Sequence, residues 1–293
     1  MILHYTKLSQ TRSGWADRRC IALKFYPGDP ITLALIDGDI AAYRAAAAVQ
    51  QSYDFGGNQP AVDFDLSEAI RLAKGTVEEW AKLSGASDIR VLFSGPGNFR
   101  KVIYPQYKAN RVKRDKPLAY VETVRALKQQ FRCDEINGLE ADDLMGILAT
   151  TPRYRDSIIV TLDKDLRTVP GKHLNPLKEH APVSVSQADA HKHWFRQVLT
   201  GDSVDNFPGC PGIGPVRADK ILSGWSGQYL HEGWALVKAA YRDKQLPESN
   251  ALLQAQLAKI LTRSDYDKKM KEVVLWTPHG QPKRLKLNGH AFS

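Results

Sequence analysis

The sequence has few cysteines and no long apolar segment. Its 293 residues include Cys20, Cys133 and Cys210, and no two of them form a CxxC pair. This spacing argues against a disulfide framework and against a structural zinc site. Apolar runs such as ITLALI at 31–36 are too short to span a bilayer, and no secretory signal or GxxxxGK[ST] loop is present. We therefore expect a cytoplasmic protein that has no membrane partner and is not an NTP-driven motor.

The composition is that of a globular protein with a large positive charge. Hydrophobic residues make up 43% and charged residues 25% of the chain, which excludes disordered and fibrous architectures. The formal net charge is +9, and the sequence pI is about 9.3. Such a balance indicates an anionic partner, although many basic proteins bind none.

The order of apolar segments predicts an α/β fold. Continuously apolar runs at 31–37, 88–93 and 157–163 are typical of strands buried on both faces of a parallel sheet. Helix-like segments lie between them, including LSEAIRLAKGTVEEWAKLSG, which ends in the expected C-cap Gly85. We expect a mainly parallel central sheet flanked by helices.

Three parts of the chain are predicted. Residues 1–30 have weak patterning and end in the turn-rich YPGDP, so we expect an N-terminal extension. Residues 31–185 carry the alternation of strands and helices that is typical of an α/β core. Residues 186–293 are predicted to form helices separated by Gly and Pro clusters, with one late strand at 271–276.

Acidic side chains collect at the predicted carboxyl ends of the strands. LIDGD and TLDKD each end a strand, and GLEADD and GDSVDNFPG supply acids from other parts of the chain. In open α/β sheets the functional loops converge at this edge. We therefore expect one pocket with nine carboxylates: Asp37, Asp39, Glu140, Asp142, Asp143, Asp163, Asp165, Asp202 and Asp205.

Crowded carboxylates require cations, because like charges in a cleft raise one another's pKa. Oxygen ligands with no His or Cys nearby suit Mg²⁺ or Mn²⁺ rather than zinc. Two such ions, roughly 4 Å apart, would clamp a phosphodiester and activate the attacking water. Each cluster alone has a plain alternative as a turn or a helix N-terminus, and only their conjunction favours a metal site.

The rest of the surface is expected to be basic. Apart from those nine acids, 23 acidic residues remain against 41 basic ones, a field that attracts a polyanion. The stretch FRKVIYPQYKANRVKRDK at 99–116 holds seven Lys or Arg, one acid and interleaved aromatic residues. This alternation suits single-stranded nucleic acid, while a solvated loop is the plain alternative.

A second stretch, NFPGCPGIGPVRADKIL at 206–222, has the pattern of a helix-hairpin-helix spanning about 200–224. Backbone amides of its PGIG turn, at the start of the next helix, can hold a phosphate without reading base sequence. Arg217 and Lys220 would reinforce that contact. We therefore expect the third part of the chain to bind DNA.

Together these motifs resemble the 5′ nuclease superfamily, which includes flap endonucleases, the 5′ nuclease domain of bacterial DNA polymerase I and small phage 5′–3′ exonucleases. The matching stretches are LIDGD, FRKVIYPQYKANR, GLEADDLMG, VTLDKDL and GDSVDNFPGCPGIGP, which occur in the family's order. The resemblance implies a PIN-like core and a two-metal enzyme that hydrolyses DNA at 5′ ends, flaps or junctions during replication or repair. It also implies a monomer in a bacterial or phage-infected cell. K⁺ at the hairpin and a replisome or single-strand-binding partner are further expectations.

Residue roles follow from the same resemblance. Asp37, Glu140 and Asp142 look like ligands of the first metal, and Asp163, Asp165 and Asp205 like those of the second, with Asp143 and Asp202 close by. Lys108 and Arg111 would reach the scissile phosphate from an arch at about 96–118, and Tyr107 would guide the 5′ terminal nucleotide. The predicted catalytic residues are Asp37, Lys108, Arg111, Asp142 and Asp163, and the predicted DNA contacts are Arg100, Lys101, Tyr107, Lys108, Arg111, Lys113, Arg114, Gly212, Gly214, Arg217 and Lys220.

One acid of the family pattern is missing. The family places an aspartate shortly after the second strand, in a pattern like FDxxxxxFR, whereas this chain reads LFSGPGNFRK, with Ser94 and Gly95 in that place. Asp39 is the candidate replacement. Two alternatives stay open: an RNA-directed or RNA:DNA-hybrid nuclease of the same fold, and a non-catalytic protein that binds DNA ends or junctions.

Overall fold

The computed structural model describes residues 32–53, 61–111, 116–280 and 282–287, and it confirms the predicted α/β class. The predicted N-terminal extension lies outside the described residues. No helix in these ranges is long and apolar enough to cross a membrane. The strands are β1 (Leu33–Asp37), β2 (Gln50–Tyr53), β3 (Ala61–Phe64), β4 (Asp88–Ser94), β5 (Cys133–Ile136), β6 (Ile158–Val160), β7 (Gly171–Leu174), β8 (Val183–Val185), β9 (Tyr266–Asp267), β10 (Glu272–Leu275) and β11 (Lys283–Lys286). The helices are α1 (Gly38–Ala48), α2 (Leu66–Ser84), α3 (Phe99–Ile103), α4 (Tyr120–Gln130), α5 (Ala141–Ala149), α6 (Gln187–Thr200), α7 (Pro215–Leu222), α8 (Leu230–Arg242) and α9 (Glu248–Ala258).

The central sheet has the strand order β5-β4-β1-β6-β7-β8, and its neighbours run parallel except for the pair β7 and β8. In β1, Ala34 and Ile36 belong to the core formed with α1, α2 and α4, while Leu33 and Leu35 belong to the core formed with α5. Side chains alternate along a strand, so a strand that is apolar at every position needs cover on both faces. The continuous apolar run in the sequence therefore reflects burial on both sides of the sheet.

Local signals in the sequence set the ends of the first two helices. The Asp37 side chain caps α1 by accepting a hydrogen bond from the backbone N–H of Ile40, at 3.0 Å. Asp65 caps α2 in the same way by accepting from the N–H of Glu68, also at 3.0 Å. The other end of α2 is Gly85 in the left-handed conformation, with φ 69°, so the predicted C-cap is confirmed.

Several short strands escape prediction from the sequence. β2 and β3 pair as an antiparallel hairpin that the sequence pattern does not predict, because their side chains are mostly exposed and give no apolar pattern. β5 lies at the edge of the central sheet and reads CDEI, which also hides it. The predicted late strand is confirmed as β10, although it is the middle strand of a three-stranded antiparallel sheet with β9 and β11.

The C-terminal part packs in two places. Helices α6 to α9 enclose an apolar core in which Phe195 stacks on Trp225, with ring centroids 5.2 Å apart. Residues 260–275 instead pack on the face of the central sheet that α5 covers. The division of the chain at residue 185 stays a prediction, because this late segment shares the core of the first part.

Two helix glycines offer a matched test of this packing. A Cβ at Gly146 of α5 would lie 2.3 Å from the carbonyl oxygen of Leu261, whereas a Cβ at Gly75 of α2 would meet no atom within 4 Å. We expect Gly146→Ala to lower the free energy of unfolding by about 2 kcal/mol or more, because the late segment must move away. Gly75→Ala should raise it by about 0.5–1 kcal/mol through helix propensity alone. Urea denaturation of both variants measures the difference, and equal effects would contradict the packing of α5 against residues 260–261.

Candidate active site

A polar pocket opens at the carboxyl edge of the central sheet. Seven of the nine predicted acids line it: Asp37, Asp39, Glu140, Asp142, Asp163, Asp165 and Asp205. They come from the ends of β1 and β6, the start of α5 and the loop after α6. The fold therefore brings together side chains that lie up to 168 positions apart in the sequence. Asp143 and Asp202 do not line the pocket.

Helix starts hold most of these acids in place. Asp37 caps α1, Glu140 is the N-cap of α5, and Asp163 caps a short 3₁₀ helix by accepting from the N–H of Asp165 at 2.8 Å. The partial positive charge at a helix N-terminus favours a carboxylate there. An acid can therefore cap a helix and line the pocket at the same time. The plain alternative, that these acids only begin helices or turns, does not exclude a metal site.

The pocket concentrates negative charge that the protein only partly neutralises. Burial and the neighbouring Asp39 raise the pKa of Asp37 to about 7. Burial and Asp163 raise the pKa of Asp165 to about 7, and the same two causes raise that of Asp142 well above its usual range. Asp163 thus acts electrostatically on three of the other pocket aspartates, Asp37, Asp142 and Asp165, which makes its charge central to the cluster.

Two cations from the basic segment balance the other side of the pocket. Lys108 forms an ion pair with Glu140, and Arg111 donates to Asp205 at 2.6 Å. Burial would raise the pKa of Glu140, but Lys108 and Arg100 outweigh it and hold that pKa at about 2. Glu140 and Asp205 are therefore paired within the protein, whereas Asp37, Asp142, Asp163 and Asp165 have no ion-pair partner among the described residues.

The unpaired aspartates fit a divalent cation in their chemistry. Their oxygens are hard ligands, and one of them, Oδ1 of Asp165, is buried without a hydrogen-bond partner in the described part of the chain. Across the residues that the structure describes, no three His, Cys, Asp or Glu side chains are placed so that they could already hold a metal ion together. The donor types and their charge suit a hard divalent cation, while the ligand geometry stays a prediction.

Asp143 and Arg100 have structural positions that contradict their predicted roles. Asp143 is 0% exposed and Arg100 3% exposed, and the guanidinium donates to both carboxylate oxygens at 2.8 Å. The same guanidinium donates to the carbonyl oxygens of Leu257 and Lys259, at 2.9 and 2.7 Å. A carboxylate that is held in this way is not free to bind a metal. Likewise, a guanidinium this deeply buried does not reach DNA.

Tyr107 is also buried, at 2% exposure, so its ring is covered in this structure, and its role in guiding the 5′ terminal nucleotide stays a prediction. Its hydroxyl donates to Asp205 at 2.7 Å and lies 3.1 Å from Glu140. Asp202 Oδ1 accepts from the N–H groups of Val204 and Asp205, which fixes the loop, and the charge of Asp202 contributes to the raised pKa values of Asp163 and Asp165. Of the other predicted DNA contacts on this segment, Lys101 is exposed, and Lys113 and Arg114 fall outside the described residues.

The missing acid after β4 has a structural explanation. A Cβ at Gly95 would lie 2.1 Å from the carbonyl oxygen of Ile136, so no side chain fits there. Ser94 occupies the pocket wall instead, and its N–H donates to Asp39 at 2.9 Å. The second oxygen of Asp39 accepts from the Tyr120 hydroxyl at 2.9 Å. Asp39 therefore lies beside the position of the absent acid, where the Ser94 N–H and the Tyr120 hydroxyl fix its two oxygens.

Sequence reasoning missed two polar residues that position the acids. The Thr161 hydroxyl donates to Asp37 at 2.9 Å and accepts from the N–H of Asp163 at 3.1 Å, so it links two of the pocket acids. Tyr120 holds Asp39, as described above. Thr161 stands two residues before Asp163 in VTLDKD, and a hydroxyl so close to an acid is a signal that could have been used. Nothing in the sequence around Tyr120 relates it to Asp39.

The loop at 203–206 is hydrogen-bonded to the segment that carries Lys108. The N–H of Lys108 donates to the carbonyl oxygen of Asp205 at 2.9 Å, and Asn206 donates to that of Gln106 at 2.6 Å. Two further bonds run from Asn110 to Ser203 and from Arg111 to Val204, at 2.8 and 3.2 Å. These contacts fix the base of the predicted arch over the pocket.

The predicted hairpin turn leads from this loop into α7. Gly212 has a left-handed φ of 71°, and Gly214 precedes α7 without any side-chain cap on its first amides. The predicted contacts of this turn are all exposed: Gly212, Gly214, Arg217 and Lys220. The turn and the start of α7 are therefore open to a ligand. An uncapped helix start beside two cations suits a phosphate group.

Comparison with known proteins agrees with this fold. The sequence profile of the 5′-3′ exonuclease, N-terminal resolvase-like domain matches residues 32–195, more than half of the chain, and the protein therefore belongs to this family. The exodeoxyribonuclease of Enterobacteria phage T3 is 26% identical, over 84% of this chain and 93% of the phage protein. DNA polymerase I of Pseudomonas aeruginosa is 32% identical, over 67% of this chain but only 22% of the polymerase.

Solved structures with a similar fold include the bacteriophage T5 D15 flap endonuclease in complex with DNA and metal ions. It matches at a TM-score of 0.58 and 17% identity, over 78% of this chain and 89% of that protein. The T5 D15 protein co-crystallised with metal ions matches at 0.57 and 16%, with the same coverage. Such low identities show the fold alone. Together with the family match and the named exonuclease relatives, they identify this chain as a 5′ nuclease.

Charge crowding in the pocket should limit stability when no divalent ion is present. Because the pKa of Asp165 is raised from 3.8 to about 7, the stability it contributes is complete below pH 3.8 and is lost as the pH rises through 7. In EDTA at pH 8, we expect Asp165→Asn to raise the melting temperature by roughly 2–4 °C, or about 1 kcal/mol. The advantage should shrink towards pH 5 and in excess Mg²⁺.

The matched control is Asp156→Asn, which removes an acid that is 70% exposed in its side chain. It should leave the melting temperature unchanged at both pH values. Burial lowers the pKa of His173 to about 4, so this histidine makes stability depend on pH in the opposite sense. Its contribution cancels when the variant and the wild type are compared at the same pH. A lower melting temperature for Asp165→Asn at pH 8 would contradict the crowding.

Proposed function

We propose that this nuclease hydrolyses DNA phosphodiester bonds at 5′ ends and 5′ flaps, with divalent metal ions held by the carboxylate pocket. The observation that carries the proposal is the arrangement of four unpaired aspartates opposite two cations at one edge of the sheet. A phosphate needs both: a site for metal ions and donors that offset its charge. The DNA-processing names of the relatives and the DNA complex of the T5 enzyme support the choice of substrate.

The chain's own residues hold and orient the reacting groups. Asp37, Asp142, Asp163 and Asp165 would hold the metal ions, and Thr161 fixes the orientation of Asp37. Lys108 and Arg111 now donate to carboxylates and can donate to a phosphate that enters between them. Bound Mg²⁺ or Mn²⁺ would polarise the attacking water and stabilise the leaving oxygen.

The hairpin turn before α7 would hold the duplex next to the cut. Gly212 and Gly214 present backbone amides, and Arg217 and Lys220 add charge, so this contact would not depend on base sequence. A K⁺ ion at the turn, a replisome or single-strand-binding partner and a monomeric state belong to the same proposal. A bacterial or phage-infected cell is the expected setting.

Parallel assays separate DNA cleavage from the RNA-directed alternative. A 5′-labelled flap, a recessed 5′ end, the matching RNA and the RNA:DNA hybrid are incubated with the protein in Mg²⁺ and in Mn²⁺. We expect cleavage of the DNA flap and DNA end in both metals and slower cleavage of RNA. Binding of DNA in Ca²⁺ without product in any metal would overturn the proposal. Preferred cleavage of the RNA:DNA hybrid would instead indicate a primer-removing nuclease.

Asp163→Asn tests the central position of Asp163 among the carboxylates. We expect cleavage of the flap to fall at least about 100-fold, because a neutral amide weakens metal binding and charge stabilisation together. Binding of flap DNA in Ca²⁺ should stay within about tenfold of wild type, which is about 1.4 kcal/mol. Full activity of the variant would refute the metal-ligand assignment, and Asp156→Asn, an exposed acid, serves as control.

Lys108→Ala tests the phosphate-contacting role of Lys108. We expect the single-turnover rate at saturating DNA to fall by roughly 100-fold, while binding weakens much less, because the lost interaction acts on charge that develops during the reaction. The control is Lys101→Ala, in an exposed lysine of the same segment. Lys101→Ala should weaken binding without slowing the saturated rate. A variant of Lys108 that loses binding and rate equally would contradict the assignment.

A further inference from the structure

The small C-terminal sheet of β9, β10 and β11 carries many cations that the proposed mechanism does not use. Between Tyr266 and Leu287 the sequence has six Lys or Arg residues and two acids. Five of the cations are exposed lysines: Lys268, Lys269, Lys271, Lys283 and Lys286. Lys268, Lys269 and Lys271 lie in the turn between β9 and β10, and Lys286 lies at the same end of the sheet, whereas Lys283 lies at the other end of β11 and on its opposite side. We call these five side chains together the lysine face.

Neither acid of this sheet neutralises the lysine face. Arg284 forms ion pairs with both Asp267 and Glu272, at 3.2 and 3.5 Å. Among the described residues, none of the five lysines has an ion-pair partner. The lysine face therefore projects uncompensated positive charge into solvent.

The lysine face adjoins the edge of the central sheet where the pocket opens. A Cβ at Gly138 would lie 2.9 Å from the Leu287 side chain, so β11 ends directly against the loop after β5. The N–H of Leu287 donates to the carbonyl oxygen of Lys271 at 3.0 Å, and Lys286 precedes Leu287. Gly138 stands two residues before Glu140, which lines the pocket. Lys271 and Lys286 therefore lie where this sheet comes nearest to the catalytic edge.

The composition of the lysine face indicates the kind of anion it fits. The Tyr and Trp side chains of the same segment are packed into the protein: Tyr266 is 5% exposed, and Trp276 packs edge-on against Trp194 and Trp234. Neither of these two rings is therefore presented for base stacking, which single-stranded binding uses. Lysines act as mobile point charges and suit a contact with phosphates that does not read base sequence.

We propose that the lysine face binds the phosphate backbone of a duplex arm of the nucleic acid whose strand enters the pocket. The inference rests on the proposed function, since it takes the substrate to be DNA with a duplex portion. It extends the DNA contact along the surface away from the hairpin turn and the arch segment. Its effect is on affinity, salt dependence and the length of duplex held, and it leaves the chemistry of the pocket unchanged.

The test compares two pairs of substitutions with a control of equal charge. Lys271→Gln with Lys286→Gln removes the lysines nearest the pocket, and Lys268→Gln with Lys269→Gln removes those of the hairpin. The control is Lys82→Gln with Lys172→Gln, two exposed lysines on α2 and β7. Lys172 pairs in register with Ile158, the first residue of β6, so it lies at the opposite edge of the sheet. All three proteins lose two charges.

Binding is measured in Ca²⁺ over a series of salt concentrations, with flap substrates whose duplex arms grow from about 8 to about 20 base pairs. Each lysine that contacts a phosphate contributes about 0.9 to the slope of log K against log salt. We expect the wild type to gain affinity with arm length. We also expect either lysine-face pair to lower the slope by about 1–2 and to remove much of that gain, with the control pair unchanged.

Slopes and length dependence equal to those of the control in both pairs would overturn the inference. A protein that still cleaves flap DNA under that outcome leaves the proposed function intact. A wild type that neither binds nor cleaves any DNA substrate would overturn both. Because the four lysines are exposed, circular dichroism and melting temperature should match the wild type, and a misfolded pair is replaced by the other pair.

Discussion

The buried ion pair between Arg100 and Asp143 holds together the parts of the molecule that build the pocket. Arg100 belongs to α3, at the base of the predicted arch, and Asp143 lies in the first turn of α5, next to two pocket acids. The same pair bonds to the chain at Leu257, Lys259 and Leu261, which ties in the start of the late segment. Removing one partner of such a pair typically costs about 3–5 kcal/mol, because the other charge stays buried alone. This pair therefore stabilises the elements that carry the pocket acids, so those acids need not stabilise the fold themselves.

Charge in the pocket is divided between acids that the protein neutralises and acids that it does not. Glu140 and Asp205 have Lys108 and Arg111 as partners, while the aspartates around Asp163 repel one another. Burying such repulsion lowers stability and is common where a site must bind a cation or substrate. The positions of Asp37 and Asp163 at helix starts limit this loss, because backbone N–H groups donate hydrogen bonds to their carboxylates.

Much of the fold and of the pocket can be predicted from the sequence, for identifiable physical reasons. Continuous apolar runs predict β1, β4 and β6 because parallel strands are buried on both faces, and the acids that follow them must meet at one edge. The roles of individual charged residues cannot be predicted in the same way. Arg100 and Lys101 are neighbours in one basic run, yet one is buried against Asp143 and the other is exposed.

The difference arises from three-dimensional packing that the local pattern does not encode. The buried state of Arg100 depends on carbonyl oxygens at Leu257 and Lys259, which lie more than 150 positions away in the sequence. Tyr107 is likewise covered by the core of α6 to α9. The exposed strands β2, β3 and β11 are also missed, because strands with polar or charged side chains carry no apolar alternation.

The six hydrogen bonds between residues 106–111 and 203–206 have a mechanical consequence. Each bond contributes about 1 kcal/mol, so separating the two segments is unfavourable, whereas moving them together is not. The arch base and the approach to α7 should therefore move as one unit. Under the proposed function, a DNA strand that displaces the arch base would also displace the approach to α7. Binding of the free 5′ end and binding of the duplex would therefore influence each other.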